Sequence, residues 1–325
     1  MSLLTSWLAS PPPDAAVEIA PGRVSAASIV SLGAGAAISS YAVEPLPAGA
    51  VVASLTSQNI ADPAAVRDAV RAVLGRLGTR PARVALIVPD MATKVSLLHF
   101  DHVPARRDDL DQLVRWQVRK AAPFPIDDAC VSTTPGARGT DGSGEFVVVV
   151  ARRDVVQEYE TACADAGTYA GLVDLATFSV INLFLASGGV PAGDWLAVHM
   201  RPEYTSIAIM RGPEMIFFRN RPEGDEEPLA ELVHQTTMYY QDRLSGGGFA
   251  RVLLGGSGHT PGAVEVARRS LEERLGTAIE PIDPTQAVSL SDRIGVTPDL
   301  MDVLAPLAGM LLRTRQAQPA VRVPA

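Results

Sequence analysis

The most regular pattern in the chain is an amphipathic helix with a marked end. Within residues 109–128, DLDQLVRWQVRKAAPFPIDD, uncharged positions recur at three- and four-residue steps. The positions that form this packing face are Leu110, Leu113, Val114, Gln117 and Val118. Because proline has no amide hydrogen and disfavours helical geometry in the residue before it, Pro123 and Pro125 are predicted to end the helix.

Near the start of the chain, alternating apolar residues predict three strands and then a helix. The strands are predicted at residues 15–20, 24–31 and 36–43, with Gly22 in the first turn. Asp62 and Pro63 predict the start of the helix, because aspartate caps unpaired amides and proline suits the first turn. Gly78 follows the end of this helix, so the unit is predicted to be βββα.

The second half of the chain repeats this order of elements. Strands are predicted at residues 195–200, 204–210 and 215–219, followed by a helix at 227–244. A further strand at 251–254 precedes a helix at 261–275, which stops at Gly276. Between the two halves, strands are predicted at 84–89, 95–100, 145–152 and 170–174, with a helix at 154–166. The glycine-rich residues 136–144 are predicted to form a mobile loop.

The helix with its proline break, and the neighbouring elements in the same order, resemble the type IV pilus assembly protein PilM family. WQVRKAAPFP at residues 116–125 is similar to the family's RWE…IPFP helix, and the resemblance covers about residues 14–313. The family is actin-like and related to FtsA. The resemblance therefore implies an α/β (α+β) actin-like ATPase-superfamily fold, with duplicated βββα units and an inserted FtsA-type subdomain.

The resemblance also divides the chain. The implied parts are an N-terminal tail (1–13), a first actin-like subdomain (14–79), the inserted subdomain (80–167), a second actin-like half that returns to the first (168–315) and a disordered tail (316–325). The length of 325 residues and the hydrophobic fraction of 47% suit several cores.

Charge and cysteine content exclude several classes of protein. A net charge of −8 argues against a nucleic-acid partner, because such a surface needs an excess of clustered Lys and Arg. Cys130 and Cys163 are too few for a structural zinc site and are expected to be reduced. The apolar residues 1–10 are far shorter than the ~20 residues of a membrane span. They are expected to form a flexible tail, or alternatively a short amphipathic turn that touches a membrane.

The family resemblance implies a nucleotide cleft, and the residues at its two phosphate hairpins are altered. Where the family has Ile-Asp-Ile-Gly-Ser, this chain has Val-Glu-Ile-Ala-Pro at residues 17–21, followed by Gly22 and Arg23. Glu18 keeps the acidic charge at the metal position. In the second hairpin, where the family has Val-Val-Asp-Ile-Gly, His199 replaces the acid and Arg201 replaces the glycine. Since Mg²⁺ prefers oxygen ligands, magnesium-dependent ATP hydrolysis is not expected.

The third part of the cleft departs less from the family. Gly255, Gly256, Ser257 and Gly258 match the adenosine turn, although glycines between a strand and a helix also serve backbone geometry alone. Arg23 or Arg201 could pair with phosphate without a metal. We therefore expect no metal, no required cofactor and no catalytic residue, and leave ATP binding open. His199 is expected to be a hydrogen-bonded core histidine.

Known catalytic motifs are missing. Residues 255–259, GGSGH, lack the last glycine of a Gly-x-Ser-x-Gly nucleophile elbow, and no histidine follows position 259. The sequence also contains no phosphate-binding P-loop, His-Glu-x-x-His helix or Cys-x-x-Cys pair.

The resemblance implies a non-catalytic scaffold that is cytoplasmic and peripheral at the inner face of the inner membrane. PilM proteins dock on the short cytoplasmic N-terminal peptide of the inner-membrane protein PilN, so a groove between the first and inserted subdomains is expected to hold such a peptide. The candidate anchors are Leu97, Phe100, Trp116 and Phe124. Alternatively, these side chains fill the core of the inserted subdomain, an alternative that is favoured for Phe100.

Further partners are implied as well. The pilus assembly ATPase machinery and other copies of the chain are candidates. The sequence also permits two rival functions, namely a working actin-like ATPase and the cytoplasmic module of a type II secretion platform. The ATPase needs two carboxylates at the phosphate hairpins, and only Glu18 lies in the right place.

Overall fold

The structure is a computed structural model that describes residues 13–32, 35–78, 80–223, 228–256, 262–291 and 294–316. Its first sheet has six strands in the order β14-β3-β2-β1-β4-β8. The bounds are Ala15–Ala20 (β1), Arg23–Leu32 (β2), Gly35–Pro45 (β3), Arg83–Val88 (β4), Tyr169–Leu175 (β8) and Ser289–Leu290 (β14). The hairpin of β1 and β2 is antiparallel, whereas β4 pairs with β1 in parallel.

The other strands of the described residues form two more sheets. The second sheet has the order β11-β10-β9-β12-β13, and its bounds are Asp194–Met200 (β9), Tyr204–Arg211 (β10), Glu214–Pro222 (β11), Arg251–Gly256 (β12) and Glu280–Pro281 (β13). The third sheet has the order β5-β7-β6, with bounds Thr93–Phe100 (β5), Ala129–Arg138 (β6) and Gly144–Arg152 (β7).

The helices lie between and outside these sheets. Their bounds are Pro63–Arg76 (α1), Arg107–Val118 (α2), Arg153–Asp165 (α3), Ala176–Ala186 (α4), Leu229–Arg243 (α5), Ala263–Leu275 (α6) and Pro298–Gln316 (α7). Asp62 caps α1 as expected, because its carboxylate accepts the Ala65 amide at 3.0 Å. No helix in the described part of the chain is long and apolar enough to cross a membrane.

Apolar side chains join these elements into layers. One core places α4 and α7 between the first and second sheets, so the two large sheets share a helical layer. The outer face of the first sheet packs on α1 and α3, and the outer face of the second packs on α5 and α6. The third sheet and α2 form a smaller core of their own. The site described below lies where the two large sheets meet.

The inserted subdomain is smaller than the predicted range of 80–167. Its sheet and helix cover about residues 93–152, because β4 is a parallel strand of the first sheet. The helix α3 also belongs to the first subdomain, since its buried Tyr159 and Cys163 pack into the core beneath that sheet. Likewise β8, assigned above to the second half, pairs with β4. Sequence order alone conceals these pairings.

Two local predictions also need correction. The helix predicted to run from about Asp109 to the break at Pro123 ends earlier, at Val118 with Arg119 as its C-cap, so Pro123 is not what stops it. The chain turns there because the amides of Ala121 and Ala122 bond back to the Val118 carbonyl. The loop predicted at 136–144 is shorter, because β6 continues to Arg138 and β7 begins at Gly144.

Candidate functional site

The two hairpins that face each other across the molecule bring Glu18 and Arg201 together. Glu18 lies on β1, where it is opposite Ser25 of β2, and Arg201 follows the end of β9. Arg201 donates from Nη2 to Glu18 Oε1 at 2.8 Å, and Ser25 Oγ donates to Glu18 Oε2 at 3.1 Å. The side chains are only 1% and 3% exposed. Both carboxylate oxygens of Glu18 therefore have protein partners.

Arg23 adds a second guanidinium to this ion pair. Its Nη2 lies 3.8 Å from Glu18 Oε2, close enough for charge attraction but too long for a hydrogen bond. Burial and the neighbouring Arg201 lower the pKa of Arg23. Burial is the largest influence on Arg201 and opposes its charge, but Glu18 together with Tyr204, Glu203 and Asp90 outweighs burial and raises the Arg201 pKa. Arg201 therefore stays protonated beside the carboxylate.

A second buried network centres on Asp90, which follows β4. Its carboxylate accepts the Thr177 amide at 3.1 Å, the Thr177 hydroxyl and the Ser206 hydroxyl at 2.6 Å. Burial nevertheless raises the pKa of Asp90, and these hydrogen bonds only partly oppose that rise. The Asp90 amide donates to Tyr204 at 3.3 Å. This network joins the first sheet to α4 and to β10 of the second sheet.

His199 belongs to the same network. Its Nδ1 lies 2.8 Å from Thr177 Oγ1. Because the Thr177 hydroxyl donates to Asp90, its oxygen accepts the proton of His199 Nδ1. Burial, with Arg201 and Arg23 nearby, keeps the pKa of His199 well below its ordinary value, so the ring is neutral. The structure thus places His199 as the hydrogen-bonded core histidine that the sequence predicts.

The opposite wall is formed by Gly256 and Asp302. The Gly256 amide donates to Asp302 Oδ1 at 3.1 Å, which ties β12 to α7. Gly256 has a positive φ of 102°, and a Cβ there would lie 1.9 Å from the Met200 carbonyl oxygen, so only glycine fits. Burial raises the pKa of Asp302 to about 6. Beside these residues lies an open cleft of about 1090 Å³.

The predicted nucleotide residues are brought together only in part. Gly255 and Gly256 lie in β12 instead of a turn, and Ser257 and Gly258 lie outside the described residues. Gly22 serves turn geometry, since its φ is +81° and the space around it is open. Arg23 and Arg201 both lie against Glu18, while Arg23 Nε and Nη2 and Arg201 Nη1 are buried without a hydrogen-bond partner among the described residues.

These residues do not fit a magnesium ion. Mg²⁺ requires oxygen ligands in octahedral geometry, whereas Glu18 already faces two guanidinium groups and the second acidic position holds an imidazole. Within the described ranges, no group of three or more His, Cys, Asp or Glu side chains is arranged to hold a metal. The guanidinium of Arg201 is a permanent cation beside the carboxylate.

The four predicted peptide-contacting residues differ in exposure. Phe100 is buried and packs on Phe146, with ring centroids 5.6 Å apart, so it belongs to the core of the inserted subdomain. Leu97 and Phe124 are half-buried. Trp116 is 62% exposed, and Lys120 Nζ lies 6.0 Å from its ring centroid.

A groove separates the inserted subdomain from the first one. It has a volume of about 500 Å³ and is lined by Thr56 and Gln157 on one side and by Phe124 and Arg152 on the other. Of the four predicted residues, Phe124 is the one that lines it within the described part of the chain. Arg152 also donates to the Thr56 carbonyl, which holds the two walls together.

Sequence reasoning missed Asp90, Thr177, Ser206 and Asp302. A signal existed for Asp90, because it follows a buried parallel strand, and functional groups collect at the carboxyl ends of such strands. Asp302 carried no signal, since only the packing of α7 against β12 brings it to Gly256.

Comparisons with known proteins identify the family and the fold. A family model described as type IV pilus assembly protein PilM matches residues 17–243. No curated protein sequence matches the chain. Among solved structures, the chain is similar to a PilM–PilN type IV pilus biogenesis complex, with a TM-score of 0.80 and 17% identity over 94% of this chain and 99% of that chain.

Two other structures are less similar. The cytoplasmic domain of EpsL, an inner-membrane component of the type II secretion system of Vibrio cholerae, has a TM-score of 0.48 and 9% identity over 94% of this chain and 95% of that chain. A protein of unknown function with an actin-like ATPase fold from Bacteroides thetaiotaomicron has a TM-score of 0.47 and 9% identity, over 89% and 96% of the two chains. The predicted actin-like fold is confirmed. Because the family model covers most of its length, the chain belongs to the type IV pilus assembly protein PilM family.

Proposed function

We propose that this chain is a non-catalytic scaffold of a type IV pilus assembly complex, located in the cytoplasm at the inner membrane. It binds the short cytoplasmic N-terminal peptide of a PilN-like membrane protein. The buried Glu18–Arg201 ion pair is the observation that supports a non-catalytic role. A magnesium ion would have to displace this guanidinium, which would leave Arg201 buried without its partner.

The same buried contacts support a scaffold role in a second way. The Glu18–Arg201 pair and the Asp90 network connect the first sheet to the second sheet by direct hydrogen bonds. In an actin-like cleft, a nucleotide lies between these two halves. Here protein side chains occupy the meeting point, so the two halves stay together without a ligand.

The groove at Phe124 supports peptide binding. Its volume of about 500 Å³ and its mixed lining suit a short extended segment that inserts an apolar side chain beside the Phe124 ring. Trp116 is the second proposed anchor, because its ring is exposed and it precedes Phe124 closely in the chain. Aromatic side chains at such positions carry much of the binding energy of an interface. The PilM–PilN complex is the structural precedent for this kind of partner.

The test is binding of a synthetic peptide with the N-terminal cytoplasmic sequence of the PilN-like protein encoded nearby. Isothermal titration should give saturable binding to the wild-type chain. Phe124→Ala and Trp116→Ala should each weaken the affinity by about 1–2 kcal/mol. Trp116→Ala should leave thermal stability unchanged, because the ring is mostly exposed.

Tyr169→Ala is the matched control, because Tyr169 is an exposed aromatic residue on β8, in the first sheet. This variant should bind the peptide as the wild type does. Failure of the wild-type chain to bind any such peptide would contradict the proposed partner. Binding that both anchor variants leave unchanged would place the peptide elsewhere.

A further inference from the structure

The strand β6 forms an open edge of the third sheet. Its ladder partner is β7, and no backbone hydrogen bond joins β6 to another strand within the described ranges. Unpaired N–H and C=O groups along an edge can accept an added strand. Pro135 has no N–H to offer, and the Ala129 carbonyl already accepts from Arg153 Nη2 at 3.1 Å, so the stretch that remains for pairing is residues 130–134.

A groove of about 400 Å³ lies between this edge and α2. Val131 and Thr133 line it from the strand, at alternate positions that face the same side of the sheet. Leu110 and Val114 line it from the helix, and Phe146 of β7 lines it from the sheet. Every second side chain of a strand added to β6 would therefore face this apolar groove.

The charges on the helix side of the groove favour an acidic occupant. Arg107 and Arg115 both line it, eight residues apart and therefore on one face of α2, with Asp111 as the single carboxylate in the lining. Neither arginine makes an ion pair with any side chain in the described part of the chain. Two unpaired guanidinium groups beside an edge strand suit carboxylates on an extended peptide.

We propose that the groove between β6 and α2 is a second peptide-binding site, which takes an acidic, apolar segment as an added strand. This site is separate from the groove at Phe124 and does not depend on the PilN-like peptide. Backbone hydrogen bonds to residues 130–134 hold the segment. Its apolar side chains fill the groove beside Val131 and Phe146, and its carboxylates pair with Arg107 and Arg115.

Two capped six-residue peptides test the proposal. In one, glutamate alternates with valine, and in the other, lysine replaces glutamate. The glutamate peptide should bind wild-type protein at least about fivefold more tightly than the lysine peptide, because exposed ion pairs contribute modestly. Its addition should shift the NMR amide signals of residues 130–134 and leave those around Phe124 unchanged.

Two variants on one helix make the test specific. Arg115→Glu should abolish or reverse the preference for the glutamate peptide. Arg119→Glu, an exposed arginine one turn later that does not line the groove, should keep it. Equal binding of the two peptides, no binding at millimolar concentration, or equal effects of the two variants would overturn the proposal. So would a dimer in sedimentation that the glutamate peptide does not dissociate, because a second copy would then occupy the edge.

Discussion

Arg201 and Glu18 are 183 residues apart in the chain, yet Arg201 Nη2 lies 2.8 Å from Glu18 Oε1 in the interior. Each belongs to a hairpin that contacts phosphate in an actin-like ATPase. In this chain the two side chains contact each other, so the guanidinium of Arg201 supplies a positive charge inside the cleft.

Loss of the Arg201 charge should destabilise the protein strongly. Arg201→Gln leaves the Glu18 carboxylate buried without its cation, which costs about 3–5 kcal/mol. Arg274→Gln is the control, because the Arg274–Glu231 pair has the same 2.8 Å distance with both side chains 43% exposed, and its loss should cost under about 1 kcal/mol. Urea unfolding measures both values, and equal costs would contradict the assigned role of burial.

Magnesium should have no effect on ATP binding or ATP hydrolysis. Isothermal titration with ATP should give the same result with and without magnesium, since Glu18 is occupied by Arg201 and Arg23. A phosphate-release assay should find no magnesium-dependent turnover. Turnover above background that Glu18→Ala removes, with the fold intact by circular dichroism, would contradict this prediction.

The crossing of α4 and α7 should be intolerant of a methyl group. A Cβ on Gly309 would lie 1.8 Å from the Ser179 carbonyl oxygen, so Gly309→Ala forces the two helices apart and should cost about 2–3 kcal/mol. Gly75 in α1 has open space around it, and Gly75→Ala should instead stabilise by about 0.5–1 kcal/mol. Thermal unfolding measures the stability of both variants. A change of stability in the same direction for the two variants would contradict this packing.

Asp302 should make stability depend on pH. Burial raises its folded-state pKa to about 6, above the value near 4 of an unfolded chain. A carboxyl group whose pKa is higher in the folded state than in the unfolded chain contributes its full stabilisation below about pH 4, where it is protonated in both states. This contribution is lost as the pH rises from about 4 through about 6. Asp302→Asn should therefore gain stability relative to wild type between about pH 4 and pH 7, on the order of 1–3 kcal/mol.

Urea unfolding across that pH range checks the Asp302 prediction. Asparagine retains an oxygen that can accept the Gly256 amide, so the variant removes the charge and keeps the contact. Asp242→Asn, at an exposed position in α5, controls for the loss of one negative charge. A difference between wild type and Asp302→Asn that does not vary with pH would contradict the prediction.

Local chemistry was enough to predict most elements. Alternating apolar residues located β1, β2 and β3, and Asp62 with Pro63 located the start of α1 within a residue. Signals of this kind work because a strand face, a cap or a turn depends on residues that are close in the chain. The same reasoning failed at α2, where the helix ends before the prolines that were expected to stop it.

The sequence shows Glu18 in the first hairpin and His199 and Arg201 in the second, where the family resemblance implies an acidic metal site. It could not say that Arg201 would turn toward Glu18, nor that Asp90, Thr177 and His199 would join the two halves. The order of elements along the chain also led to the assignment of β4 and α3 to the inserted subdomain, whereas both pack with the first sheet. These facts depend on parallel strand pairing and on contacts between different elements, up to 183 positions apart for Arg201 and Glu18, which follow from the packing of the whole chain.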